Sequence, residues 1–237
     1  MFKRPSKLLL CFLLFFPIIQ ALLYFVLMAD WNTAIQQGTY LATKIIMLVF
    51  PLVYMLKVAK EPFLVRKFNS RGLVEGSSFG FGILVTTCLL YYLWLKPIDF
   101  IGPDTSVGKA ISDRISNFGL VTPLRFILFG CFVSLIHSGL EEYYWRWFTL
   151  GQLSRVFSKY AACVISGLGF MLHHIVILGV YFGFTHPASY IFSFGVAIGG
   201  MYWAWLYIRK DSIYAPWLSH AWIDLAIFII GYDVIFT

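Results

Sequence analysis

Residues 8–28 read LLLCFLLFFPIIQALLYFVLM, an apolar run that contains no charged side chain. The hydrocarbon core of a bilayer is about 30 Å thick and takes about 20 apolar residues as one helix. The run is longer than the core of a typical signal peptide, and no small-x-small cleavage site ends it. The sequence therefore predicts that this stretch is a retained first membrane span.

The rest of the chain has the same character. Its 237 residues are 60% hydrophobic, 19% aromatic and only 12% charged, whereas a soluble domain carries about 25% charged residues. Further apolar segments lie at 39–58, 79–96, 125–149, 160–182, 188–208 and 213–235. We therefore expect an all-α fold, a polytopic transmembrane helix bundle of about seven spans. We expect 1–237 to form a single integral membrane domain without a soluble domain.

Lysine and arginine are unevenly distributed between the loops that these spans create. Twelve of them fall on the side of the N-terminus and four on the opposite side. The positive-inside rule therefore predicts a cytoplasmic N-terminus and an external C-terminus. The formal net charge of +7 is explained by basic helix ends that meet anionic lipid headgroups. We expect membrane lipids as partners and no nucleic acid.

Three local patterns lead to further expectations. Residues 59–78 are basic and are predicted to lie along the cytoplasmic face. The stretch GSSFG at 76–80 fits the nucleophile motif G-x-S-x-G, but that motif needs a strand–turn–helix context. We therefore interpret 76–80 as loop and helix start. The stretch VGKAISDRISNFGL at 107–120 predicts a short amphipathic helix. Gly195 and Gly199 form a G-x-x-x-G pattern, which predicts close helix packing within the fold or between copies, and we favour packing within the fold.

Ionisable side chains inside the predicted spans are concentrated on three helices. A charged residue in hydrocarbon costs at least ~2.5–3.5 kcal/mol on insertion scales, so each is a functional candidate. On the fourth, fifth and seventh spans they are His137, Glu141, Glu142, Arg146, His173, His174, His220 and Asp224. Lys44 is predicted near the outer end of its helix, where its ammonium can reach the interface.

Helical spacing divides these residues into roles. Glu142 and Arg146 are four residues apart and are neighbours on one face, so we interpret them as a structural ion pair. Glu141 is rotated from Glu142 by about 100°, which leaves it able to face a cavity. We interpret His137 and His173 as interhelical hydrogen-bond donors.

A buried glutamate among imidazoles can activate water. Burial brings a carboxyl group toward the behaviour of a general base, and histidine can pass the proton to a leaving amine. A further histidine can donate to a developing oxyanion. These groups are sufficient for peptide hydrolysis without a covalent intermediate. The same groups could instead bind a metal that activates the water, but the H-E-x-x-H signature of zinc peptidases does not occur.

Three ordered motifs resemble those of a known family, the CAAX-processing and bacteriocin-processing (CPBP, or Abi) intramembrane endopeptidases. The resemblance covers about residues 125–235, and the N-terminal half is similar to the family only in being hydrophobic. The motifs are Glu141-Glu142-x-x-x-Arg146, Phe170-x-x-x-His174 and His220-x-x-x-Asp224.

The resemblance implies a glutamate-dependent protease with its active site inside the bundle. Glu141 would act with His174 on water, His220 with Asp224 would stabilise the oxyanion, and Glu142 and Arg146 would support the first motif. No cofactor is favoured. In the competing metal-dependent interpretation, a divalent ion such as zinc is bound by Glu141, His174 and His220.

Two positions leave alternatives open. Residue 224 is Asp where Asn is common in the family, and an ionised Asp only accepts hydrogen bonds. We therefore interpret Asp224 as orienting His220. Helical register favours His174, but a shift by one residue would put His173 in its place.

These observations predict an intramembrane endopeptidase that cleaves a peptide or a membrane-associated protein. The resemblance implies a bacterial inner membrane, with a bacteriocin precursor or a C-terminal sorting tail as the substrate. The alternative is a non-proteolytic member of the family, an immunity protein or scaffold. A proton-relay transporter is less favoured, because we find no inverted repeat.

Overall fold

The computed structural model describes residues 4–61, 70 and 72–237. Within them, seven helices are long and apolar enough to cross a membrane, which confirms the predicted all-α membrane fold. A shorter helix, α4, precedes the fourth of them and confirms the amphipathic helix predicted at 107–120. The helices are α1 (Lys7–Leu27), α2 (Thr33–Ala59), α3 (Leu73–Leu95), α4 (Ser106–Asn117), α5 (Pro123–Leu153), α6 (Lys159–Phe182), α7 (Pro187–Lys210) and α8 (Tyr214–Phe236).

Helix α2 begins earlier than hydropathy predicts. The side chain of Asn32 accepts a hydrogen bond of 2.9 Å from the backbone N–H of Ala34 and caps the helix start. Gln36, buried in the polar first turns, donates through its Nε2 to the Tyr24 carbonyl at 3.0 Å. The early start places Lys44 about 16 Å from the beginning of α2 at 1.5 Å per residue. The expectation that Lys44 lies near the end of its helix is therefore wrong.

Helix α3 also begins before its predicted start. The interpretation of 76–80 as loop and helix start is wrong, because these residues lie inside the helix. A Cβ atom on Gly76 would overlap the backbone of Ala215, and one on Gly80 would overlap that of Ser219. The two glycines let α3 and α8 approach closely, which is how small residues act in membrane helices. Residues 62–69 and 71 of the predicted basic loop lie outside the described residues.

Contacts divide the chain into two compact units, one comprising Met1–Asn69 and Leu140–Ile213, the other Ser70–Gly139 and Tyr214–Thr237. In the first unit α6 packs along α7, and Gly200 faces Gly167 at their crossing. The close packing predicted at Gly195 is wrong, since a Cβ there would meet no described atom within 4 Å. The single domain over 1–237 and the orientation of the chain in the membrane stay predictions.

Helix α5 is not a uniform α-helix. Its α-helical stretch Ser138–Glu142 lies between two π-helical segments, Val133–His137 and Tyr143–Leu150. π-Helical turns are rare and frequently mark functional sites. The two adjacent glutamates of the first motif therefore lie where the helix changes its winding.

Candidate active site

The second acid of the first motif is sealed in a structural ion pair. Glu142 Oε2 lies 3.0 Å from Arg146 Nε, and both side chains are 0% exposed. The Arg146 guanidinium also lies 4.9 Å from the Phe170 ring centroid and 5.1 Å from that of Trp203. Such contacts with aromatic faces stabilise a desolvated cation. The predicted pairing is confirmed, and it joins α5 to α6 and α7.

The first acid has a different environment. Glu141 is buried, with about 8% of its surface exposed, and its Oε1 lies 3.8 Å from His173 Nε2. This separation exceeds a direct hydrogen bond. Catalytic contacts are often long in the absence of substrate and tighten when it binds. Glu141 therefore lies beside an imidazole of α6, whereas Glu142 lies beside Arg146.

The imidazole of His173 is held in one orientation. It stacks on Trp145 with ring centroids 5.8 Å apart and an interplanar angle of 8°. The Phe170 ring meets it edge-on at 5.2 Å. His173 makes an interhelical contact, as the sequence predicts, but its partner is the candidate catalytic Glu141.

His174 lies beside His173, with the two ring centroids 4.2 Å apart. Its Nδ1 is 2.9 Å from the carbonyl oxygen of Phe170, one turn earlier on α6. A proton on Nδ1 is donated to that carbonyl, which leaves Nε2 as the acceptor. In this tautomer Nε2 is the basic nitrogen of His174, and a basic imidazole nitrogen is suited to exchange a proton with water.

In the second unit, α8 carries the pair His220 and Asp224. His220 Nε2 lies 3.5 Å from Asp224 Oδ1, one turn apart, and the imidazole is buried. Since a carboxylate only accepts hydrogen bonds, this contact fits the interpretation that Asp224 orients His220.

Two polar residues of α2, Tyr40 and Lys44, lie one turn apart on the helix. The Lys44 Nζ lies 5.5 Å from the Tyr40 ring centroid, and the Tyr40 ring packs on Tyr24 at 4.7 Å. The sequence predicts Lys44 at the membrane interface because hydropathy places the first residue of α2 too late in the chain.

The metal-dependent alternative requires several ligands in one place. Across the described parts of the chain, no three His, Cys, Asp or Glu side chains are grouped so that they could hold a metal ion. The metal-dependent alternative, with Glu141, His174 and His220 as ligands, stays a prediction.

Comparison with known families gives one match. Residues 123–226 match the family described as type II CAAX prenyl endopeptidase Rce1-like. All six motif residues of the predicted site lie inside this range. No curated protein and no solved structure matches the chain.

The matched family supports an integral membrane protein and a CAAX-type intramembrane protease, whose substrate is a protein or peptide in the membrane. The match at residues 123–226 agrees with the family resemblance that the three motifs predict.

Proposed function

We propose that the protein is an intramembrane endopeptidase in which Glu141 and His174 activate a water molecule. The observation that carries the proposal is the position of Glu141, a buried carboxylate that lies 3.8 Å from the imidazole of His173, the neighbour of His174. Its neighbour Glu142 is instead neutralised by Arg146. The first motif thus has one acid available for chemistry and one acid that is not.

The reaction is a direct hydrolysis. Glu141 takes a proton from water while the water oxygen bonds to the peptide carbonyl carbon. The carbonyl oxygen becomes an oxyanion, and when the C–N bond breaks the proton passes to the leaving amine. His174 supports the proton transfer through its Nε2, and His173 holds the Glu141 carboxylate.

We assign the oxyanion to His220. An imidazolium has an N–H at each ring nitrogen, so one can donate to Asp224 while the other donates to the oxyanion. A neutral Asn at position 224 could accept from His220 in the same way.

The substrate stays as the sequence predicts it, a bacteriocin precursor or a protein with a C-terminal sorting tail in a bacterial inner membrane. The family match carries only the coarser class of a protein or peptide substrate.

The test compares Glu141→Gln with wild type in liposomes, on two internally quenched probes. One is a farnesylated peptide with a CAAX C-terminus, and the other is a single-span peptide with a C-terminal tail. We expect wild type to cleave at least one probe and Glu141→Gln to cleave neither. Glu75→Gln, an acid in the first turn of α3, is the matched control and should cleave normally.

Two outcomes would overturn the proposal. Cleavage by Glu141→Gln at the wild-type rate would remove Glu141 from the mechanism. Wild-type protein that binds both probes and cleaves neither would favour the immunity or scaffold alternative.

Metal dependence is tested separately. Full activity after treatment with a chelator, with no metal by elemental analysis, is expected for the glutamate mechanism. Loss of activity that zinc restores would favour the metal-dependent mechanism.

A further inference from the structure

A proline interrupts the backbone hydrogen bonding of α1. Pro17 lies inside this helix and is buried. In an α-helix the carbonyl of Leu13 accepts from the backbone N–H of residue 17, but proline has no N–H. Leu13 is 0% exposed, and a buried carbonyl that lacks a donor costs free energy. The Leu13 carbonyl therefore requires a donor from another part of the fold.

Tyr144 of α5 supplies that donor. Its hydroxyl donates to the Leu13 carbonyl oxygen at 2.9 Å, and Tyr144 is 1% exposed. Proline is tolerated in membrane helices where a neighbouring helix pairs with the backbone group that it leaves without a partner. Tyr144 follows directly after the two glutamates and Tyr143, so this bond ties α1 to α5 beside the first motif.

The adjacent tyrosine makes a different contact. The Tyr143 hydroxyl donates to the Leu48 carbonyl of α2 at 3.0 Å, in an exposed position. The helical donor for this carbonyl belongs to residue 52, which is leucine and has its N–H. Of the two tyrosines, Tyr144 is thus the one that pairs with a carbonyl whose helical donor is missing.

The tie reaches the candidate active site through an aromatic stack. The Tyr144 ring meets the Trp145 ring edge-on, with centroids 5.5 Å apart. Trp145 in turn stacks on the imidazole of His173 at 5.8 Å. His173 Nε2 lies 3.8 Å from Glu141 Oε1. Three successive contacts therefore connect the Tyr144 hydroxyl with the carboxylate that we assign to water activation.

Helix α1 also packs on this stack directly. A Cβ atom on Gly169 of α6 would lie 2.7 Å from the Leu14 side chain and 3.0 Å from the Trp145 ring. Side chains of α1, α5 and α6 thus meet at one point behind His173. The stretch of α5 that carries Trp145 is π-helical, a rare winding that often marks a functional or strained segment. The contact with α1 fixes the first turn of that segment.

We propose that Tyr144 is a positioning residue: its bond to the Leu13 carbonyl holds Trp145, and through the stack His173, in place beside Glu141. This inference rests on the proposed endopeptidase function. It gives α1 a role in the site, although α1 lies outside the residues matched by the family.

The test separates positioning from stability. Tyr144→Phe removes the hydroxyl and keeps the ring. We expect kcat to fall by about tenfold or more, with KM near its wild-type value, because the loss of one buried partner is of this order and affects the transition state. The unfolding temperature should also fall, since the Leu13 carbonyl loses its donor.

Adding Pro17→Ala to Tyr144→Phe returns an N–H to position 17 and with it a donor for the Leu13 carbonyl within α1. The double variant should regain most of the unfolding temperature, whereas its kcat should stay low because α1 is still not bonded to residue 144. A group with a structural role alone would regain both together.

A second readout does not depend on cleavage. Stacking on the Trp145 indole shifts the ring-proton NMR signal of His173 upfield, and the signal is assigned by its absence in His173→Gln. We expect it to move in Tyr144→Phe and in the double variant alike. Tyr143→Phe is the matched control, since it removes a hydroxyl that also donates to a helix carbonyl. It should keep the wild-type kcat and the wild-type His173 signal.

Four results would overturn the inference. They are an unchanged kcat or His173 signal in Tyr144→Phe, a kcat that recovers with the unfolding temperature in the double variant, an unfolding temperature that does not recover there, and an equal loss of kcat in Tyr143→Phe. Failure of the proposed function would appear differently, as cleavage by Glu141→Gln at the wild-type rate. The His173 signal tests the positioning of the imidazole in either case.

Discussion

Two cations inside the apolar helices, Arg146 and Lys44, have opposite environments. Arg146 is fully buried, paired with Glu142 at 3.0 Å and covered by two aromatic rings. Lys44 is half-buried, lies against one ring and has no carboxylate at ion-pair distance among the described residues. The first charge has a carboxylate beside it, whereas the second is held against a ring alone. The comparison teaches that two intramembrane cations of one chain can differ in whether the protein itself supplies the counter-charge.

The two acids of the first motif follow the same division. Glu142 belongs to the sealed pair. Glu141 faces His173. Adjacent residues of one chemical type therefore lie in different surroundings, because the helix turns them in different directions.

The largest change in stability is expected when the buried ion pair of Glu142 and Arg146 is broken. Arg146→Met removes the cation beside the buried Glu142 carboxylate, and removing one partner of such a pair costs about 3–5 kcal/mol. We expect a much lower unfolding temperature in detergent, with cleavage lost because the fold is lost. The double variant Glu142→Leu with Arg146→Met should recover most of the unfolding temperature. If Arg146→Met unfolds like wild type, the pair does not hold the structure.

The surroundings of Glu141 are tested with the two histidines of α6. We expect His174→Gln to lower kcat by about 10²–10⁴-fold, the range for a residue that takes part in proton transfer. His173→Phe keeps an aromatic ring beside Trp145 and should lower kcat by a smaller factor, since His173 positions the Glu141 carboxylate and does not transfer the proton in the proposed reaction. Unfolding temperatures should stay near wild type for both. A larger loss in His173→Phe would exchange the two roles.

A smaller effect is expected at α8, where Asp224 is 3.5 Å from His220. In Asp224→Asn the amide oxygen still accepts from His220, and the amide N–H is a further donor. We expect kcat/KM to change by less than about tenfold, and Asp224→Leu to lose considerably more. Equal losses in the two variants would show that the charge of Asp224, and not its hydrogen bond, is required.

The smallest effect is expected at an exposed ion pair. Lys96 Nζ lies 2.6 Å from Asp233 Oδ2, but the lysine side chain is 48% exposed. Tyr91 also donates to Asp233 at 2.7 Å and remains when the lysine is removed. Lys96→Met should therefore change the free energy of unfolding by no more than about 1 kcal/mol. A loss as large as that of Arg146→Met would contradict the distinction between sealed and exposed pairs.

Much of this arrangement follows from local sequence signals. Runs of apolar residues predicted the seven long helices, and four-residue spacing predicted the pairs Glu142–Arg146 and His220–Asp224. Both signals depend only on residues that are near one another in the chain. Such local patterns can be recognised in the sequence without knowledge of the tertiary contacts.

Other features depend on information that hydropathy does not carry. The start of α2 is set by a cap at Asn32, and its position decides the depth of Lys44. The helical state of 76–80 depends on the packing of Gly76 and Gly80 on α8. The contact of His173 with Glu141 depends on how α6 is rotated against α5, whose π-helical turns change the register. These are tertiary effects, and spacing along one helix does not determine them.

The most direct measurement compares Glu141→Gln and Glu142→Gln in parallel, with unfolding temperature and cleavage recorded on the same purified samples. We expect Glu141→Gln to unfold at the wild-type temperature and to lose cleavage by at least about 10³-fold, as expected when a group that acts in the transition state is removed. Glu142→Gln should unfold at a much lower temperature because it leaves Arg146 buried without its carboxylate. Wild-type cleavage by Glu141→Gln, or a fully stable Glu142→Gln that loses cleavage alone, would contradict the division of the two acids into a reactive and a structural group.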